Sequence, residues 1–343
     1  METRKVQRLG PSTLAMTLPA EWVKAHGVEK GDEVTLRTGG NGTLTVLSES
    51  ASDEDTTATI WADNLNEQGL ERAIVAQYVL GRRVITIARN EGTLRSAQIN
   101  AVYEAETQLM GLGVIEETPE QIAIRCSVDP EDFTLDNLLE RLESTGSTMR
   151  TEAVEALAEG DADLARRAIN RERQANKIFV LLLRLIFTSF RNPTLAEEVG
   201  LESTFPLIGY RSVAKNLELT ADNAEDIATI VIDNADQPLA VDPGTMRAIE
   251  EFSAAVDELT TTAVRSVVER DYDLTIECRS LYRRIIDREF EILTDLPPME
   301  NRPLLQVREV LVSLAHTAQY AMRNVEIASN LALSVSSGYV TLE

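Results

Sequence analysis

The sequence predicts a multidomain chain in which a short-stranded β segment and a small α/β unit precede two tandem three-helix bundles. Three observations carry this reading. Charge is partitioned: residues 1–50 hold six basic and six acidic side chains, so residues 51–343 carry the whole net charge of −23. Residues 58–128 alternate strand and helix patterns. From Asp132 onward the pattern changes to six long helices punctuated by prolines.

Residues 1–50 read as strands at Arg4–Leu9 and Leu14–Leu18, turned by Gly10-Pro11-Ser12. Pro19 opens a short helix through Ala25 that Gly27 ends. Strands Glu33–Arg37 and Thr43–Ser48 flank the hairpin signal Gly39-Gly40-Asn41-Gly42. Fifty residues of short strands make a poor independent core, so this part is expected to form a homodimer. The acidic, polar stretch from Ser48 to Thr57 reads as a linker. The next unit, 58–128, predicts a strand at Ala58–Ala62, a helix over 66–80 and a strand at Val84–Ala88. A helix over 95–109 follows, then strands near Val114–Glu116 and Gln121–Ser127. Gly111-Leu112-Gly113 is a turn and not a phosphate-binding loop, so no ligand for this unit is legible.

The helical part divides at residue 238 into bundles over 132–238 and 239–336. Its helices are expected at 134–159, 161–190, 205–235, 243–270, 272–294 and 303–334. A shift of 110 residues superposes Met149 on Leu259, Val154 on Val264 and Asp161 on Asp271. The turn Gly160–Ala165 thereby matches Arg270–Thr275. A shift of 101 superposes Leu217 on Ala318, Asn223 on Asn324 and Glu225 on Glu326.

Composition excludes several function classes. Apolar residues make up 43%, which excludes an acidic disordered tail. Lysine is nearly absent, five residues against 28 arginines, and carboxylates are in excess. That bias suits multimolar salt, where the Debye length falls to about 3 Å and self-repulsion costs little. A halophilic protein is therefore expected. Two cysteines and two histidines, each pair far apart, exclude a disulfide framework and a Cys/His zinc site. No nucleophile paired with a base is legible, so the protein is expected not to be an enzyme. No signal peptide pattern is present. The most apolar run, Phe179–Leu183, stops at Arg184, short of the roughly 20 residues of a membrane span. A soluble, cytoplasmic protein is expected.

The third helix of the first bundle carries the clearest candidate site. Val213, Leu217, Ala221, Ala224, Ala228 and Val231 form one apolar stripe. Glu218, Asp222 and Glu225 follow it one residue on, stacked along an edge beside the core. Acids at i and i+4 repel, and a cation would offset that. Hard oxygen ligands suit iron, manganese or magnesium. Glu172 and Asn176 on the preceding helix could complete an oxygen site. The metal expectation is therefore Glu218, Asp222, Glu225 and Glu172, holding at most one divalent cation or iron. A solvated acidic face is the alternative. In the second bundle the matching positions are Gln319, Arg323 and Glu326, where a cation site is not expected.

The helical half, over about 132–335, resembles the PhoU family of accessory regulators of phosphate uptake. The turn Gly160-Asp161-Ala162-Asp163-Leu164-Ala165 and the helix Leu217–Ala228 carry the resemblance. Glu218-x-x-x-Asp222 looks like the family's E-x-x-x-D motif. The resemblance implies two three-helix bundles and acid pairs that bind multinuclear metal clusters. Only Glu218/Asp222 keeps the full pair here. Residues 3–47 resemble the SpoVT/AbrB swapped-hairpin DNA-binding domain. The carrying strings are Arg4–Gly10, Leu18–Lys24 and Gly27–Val34. This resemblance implies an intertwined dimer presenting Arg4, Lys5, Arg8 and Lys24 to DNA. Pro11-Ser12-Thr13 stands where many relatives have another arginine.

Together the two resemblances imply a DNA-binding regulator of phosphate uptake and intracellular phosphate homeostasis. The competing reading is an accessory protein that docks on phosphate transporter components or a signalling kinase, its N-terminal domain serving only for dimerisation. The neutral charge of residues 1–50 favours the first, since polyanion binding needs a locally less acidic face.

Overall fold

The computed structural model describes residues 3–38, 42–48, 57–201, 204–236, 241–335 and 337–341. The Gly39-Gly40-Asn41 part of the hairpin signal, most of the acidic linker and Pro238 lie outside the described residues.

The N-terminal segment holds two small antiparallel ribbons. β1 (Gln7–Arg8) pairs with β2 (Leu14–Ala15), and β3 (Val34–Thr38) pairs with β4 (Leu44–Ser48). α1 (Ala20–Ala25) lies between them, opened by Pro19. The first ribbon is shorter than the alternating pattern predicts. Pairing is confined to two residues on each side of the Gly10 turn. No described side chain between 3 and 48 is buried. Val6, Leu9, Leu14 and Leu36 are each more than half exposed. This segment does not close a core by itself.

The middle unit is a four-stranded mixed sheet with two helices. β5 (Thr57–Trp61) and β6 (Val84–Ala88) are parallel, joined through α2 (Glu67–Val79). After α3 (Ser96–Gln108), β7 (Leu112–Glu117) and β8 (Gln121–Cys126) complete the order β5-β6-β8-β7. Ile85, Ile87, Ile122 and Ile124 point to one face and are fully buried with Leu70, Ile74 and Tyr78 of α2. This period of two is the alternation expected of a sheet covered on one side.

The helical part runs α4 (Leu135–Glu159), α5 (Ala162–Arg191), α6 (Pro193–Glu198), α7 (Pro206–Asp233), α8 (Pro243–Val268), α9 (Tyr272–Asp295) and α10 (Asn301–Ala332). The short α6 falls where the sequence reading placed a loop. Pro193 sits at its first position, where a proline's missing N–H costs nothing. The repeated turn is the same stop-and-start device in both bundles. Gly160 at φ 69° and Arg270 at φ 52° are both left-handed. Asp161 and Asp271 then cap the next helix, accepting from Asp163 N–H at 2.8 Å and Asp273 N–H at 2.7 Å. The left-handed Arg270 ends α8 two residues earlier than the pattern predicts.

The bundles α4/α5/α7 and α8/α9/α10 are fused side by side. One core contains Leu217 and Ala221 of α7 together with Val264 of α8 and Leu331 of α10. The other contains Ala153 of α4 and Ile227 of α7 together with Phe252, Leu259 and Val325. Neither core respects the division at residue 238. The repeat explains the geometry. Asn216 Nδ2 donates to Asn324 Oδ1 at 2.8 Å, and Asn223 Nδ2 donates to Thr317 Oγ1 at 3.1 Å. Under the 101-residue shift Asn216 corresponds to Thr317 and Asn223 to Asn324. The two bonds are thus related by an exchange of halves, as in an isologous dimer interface. Arg150 likewise meets Thr260, its own counterpart under the 110-residue shift, at 3.0 Å.

Candidate functional site

The apolar stripe of α7 forms as the spacing predicts. Val213, Leu217, Ala221, Ala224, Ala228 and Val231 are all buried. Burying that stripe fixes the rotation of α7, and so leaves Glu218, Asp222 and Glu225 half-buried along its edge. Across the groove, Ala175 and Ile178 of α5 face the core and turn Glu172 toward the same edge. Four carboxylates from two helices therefore share one electrostatic neighbourhood.

Their proton affinities record it. Partial burial, then the Glu218 charge, push the Asp222 carboxyl up to about 6, against the pull of Lys215 and with help from Glu172 and Glu225. Glu172 is raised by burial first, then by Glu225 and Glu218. Glu225 is raised by burial and by Asp226. The sequence reading left out the basic member of this edge. Lys215 is ion-paired with Glu218 one helical turn away, and its ammonium lies 5.5 Å from the centre of the Phe179 ring.

Among the described residues, no group of three or more His, Cys, Asp or Glu is arranged to hold a metal ion. Glu218 already has an ammonium on it. In the second bundle, Arg323 lies over the Tyr320 ring at 5.0 Å, so the basic replacement is a packed cation–π contact.

The raised Asp222 carboxyl has a thermodynamic sign. Its folded value lies above its unfolded one, so its contribution to stability is fully present below about pH 4. That contribution is lost as the pH rises through 6. Asp222→Asn removes the penalty. Thermal melts should show the variant more stable than the parent by about 1 kcal/mol at pH 7.5, after discounting for solvent screening, and equal to it near pH 4. The gain should be the same with manganese and with chelator. A loss confined to manganese would mean that Asp222 ligates an ion.

The four N-terminal cations are all exposed. Arg8 Nη1 donates to the Pro11 carbonyl at 3.2 Å, across its own turn. Lys24 sits in the last turn of α1, where a cation complements the helix dipole. The structure does not bring these four residues together with the carboxylate edge. His26 stacks on Trp22 at 4.7 Å and hydrogen-bonds its carbonyl, a packing role. His316 is exposed and has Glu289 of α9 as its acidic neighbour, which the spacing along α10 did not show. Cys126 and Cys278 are buried and free, and burial pushes the Cys278 thiol up to about 12.

Two buried arginines were not singled out from the sequence as functional. Arg150 of α4 is 1% exposed and joins α8. It forms an ion pair with Asp257 at 2.6 Å, beside Glu143, whose carboxyl is raised chiefly by burial. Arg184 of α5 donates to the carbonyls of Tyr78, Gly81 and Arg82. It thereby caps the C-terminal end of α2 and ties the middle unit to the bundle. Gly81, at φ 88°, admits this approach: a Cβ there would lie 2.4 Å from Thr188 Cγ2. The legible signal in both cases was an arginine inside an apolar helical stripe.

Residues 139–231, spanning α4 to α7 and the whole carboxylate edge, match the family model of the PhoU domain. This stretch is similar to a PhoU domain. Residues 7–53 match a second family model, the antidote-toxin recognition domain MazE of bacterial antitoxins. The PhoU domain match ends before α8, so the second bundle is joined to it by the internal repeat. The crystal structure of PhoU from Pseudomonas aeruginosa is similar to this chain at 16% identity and a TM-score of 0.46. The similarity covers 57% of this chain and 94% of that one. No curated protein matches in sequence. No helix among the described residues is long and apolar enough to cross a membrane.

Proposed function

We propose that the protein is a homodimeric, DNA-binding regulator of phosphate uptake and phosphate homeostasis. In this reading the N-terminal segment grips DNA and the PhoU domain with its repeated bundle senses transporter or phosphate status. One observation carries it. The first 50 residues, which hold nearly all of the MazE-type match, are neutral in a chain of net charge −23, expose Arg4, Lys5, Arg8 and Lys24, and bury none of their own described side chains.

A segment with large apolar side chains and no core needs a partner that supplies one. Here that partner is a second copy, which doubles the cations presented to a duplex with two-fold symmetry. Phosphate contacts release counterions, so affinity falls steeply with salt. At high salt the binding must draw on base contacts and DNA shape as well as charge.

The test uses the full chain. Light scattering should give a dimer at micromolar concentration. A gel shift on the chain's own upstream region or on phosphate-transport promoters should be abolished by Arg4→Ala with Lys24→Ala, with the dimer intact. A monomeric parent sinks the assembly. A double variant that binds DNA like the parent sinks the site.

A further inference from the structure

A cleft of about 380 Å³ opens between the middle unit and the PhoU domain. Glu104 and Gln108, near the end of α3, form one wall. Glu172, Arg173, Asn176 and Lys177 of α5 form the other. The size lies within the range of small-molecule sites. Its lining is unusual in one respect. It holds two carboxylates and two cations, and among the described residues none of the four is held in an ion pair, although pairs form elsewhere on α4 and α5.

We propose that this cleft binds a small zwitterion of the α-amino-acid type, with its carboxylate on Arg173 and Lys177 and its ammonium on Glu104 and Glu172. The choice of ligand follows from the charges. A simple anion in the cleft meets two carboxylates, and a simple cation meets two basic groups. A molecule with an ammonium and a carboxylate a few ångströms apart satisfies both pairs. The end of α3 favours the same polarity: its carbonyls carry partial negative charge and its last turn has no basic side chain. Asn176 and Gln108 supply amides to a side chain. This proposal is independent of DNA binding and uses no residue of the N-terminal segment.

The placement has a consequence for signalling. The two walls belong to different units, so a bound zwitterion bridges them. Glu172 also belongs to the carboxylate edge of α7, so occupancy of the cleft changes the charge felt there. The site thereby links the middle unit to the PhoU domain.

The experiment uses the full chain and the twenty standard amino acids, each at about 10 mM, in a thermal-shift assay. At least one should raise the midpoint by about 2 °C or more. For that amino acid, calorimetry should show binding that is weakened at least tenfold by Lys177→Gln and by Glu104→Gln. Its N-acetyl derivative, lacking the ammonium, and its methyl ester, lacking the carboxylate, should not bind. Hydrogen exchange in α3 should slow on binding. The proposal is overturned if no amino acid shifts the midpoint. It is equally overturned if the N-acetyl derivative or the ester binds as well as the parent, or if neither substitution weakens binding.

Discussion

Arg150→Ala should destabilise the protein by about 3–5 kcal/mol, the largest effect expected of any single polar substitution. Arg150 is 1% exposed, and its guanidinium is the only positive charge that Glu143 and Asp257 are paired with among the described residues. Removing it leaves Glu143 as a buried carboxylate with Thr260 and Thr261 as its remaining hydrogen-bond donors. Glu143 is already raised by burial, and the loss of Arg150 removes the main opposing attraction. Its carboxyl should therefore rise further in the variant. Two measurements check this. The melting midpoint should fall on the order of 10 °C. Adding Glu143→Gln to Arg150→Ala should recover part of the loss, because the cost lies in the orphaned charge and not in the missing contact alone. A double variant no more stable than the single one would show that packing, not charge, dominates.

Arg184→Ala should loosen the joint between the middle unit and the PhoU domain while leaving both cores in place. The buried guanidinium satisfies three carbonyls at the end of α2 and lies over the Tyr78 ring at 4.8 Å. The Tyr78 carbonyl keeps the Gly81 N–H at 3.0 Å, but the guanidinium's own bonds to the three carbonyls are ones that no apolar side chain can replace. The cost should be about 2–4 kcal/mol, concentrated at the joint. Hydrogen exchange should rise at residues 78–83 and along the facing turns of α5. The centres of α4 and α7 should keep their protection. Uniform loss of protection across all helices would instead make Arg184 part of the global core.

Much of this architecture was legible because it follows from local periodicity. The α7 stripe repeats every three to four residues, and burying it determines where Glu218, Asp222 and Glu225 emerge. The internal repeat was legible as well, because Asp161 and Asp271 must cap a helix wherever such a turn occurs. The extent of the first N-terminal ribbon was not legible, because strand length depends on what a neighbouring strand offers. The short α6 was missed since six residues are too few to show a period.

The sequence by itself determined the three-part layout, the six long helices, the neutral N-terminal segment and the row of acids beside a core. Those properties arise from spacing, caps and charge counts, which act over a few residues. Only the tertiary structure decided that the two bundles share their cores, that Arg150 and Arg184 are buried connectors, and that Lys215 already sits on the acidic edge. It also decided that Glu172 faces α3 across a cleft of mixed charge. Each of these rests on residues brought together from distant parts of the chain or on the rotation of one helix against another. Such placements are set by the packing of whole faces, and no local pattern encodes them.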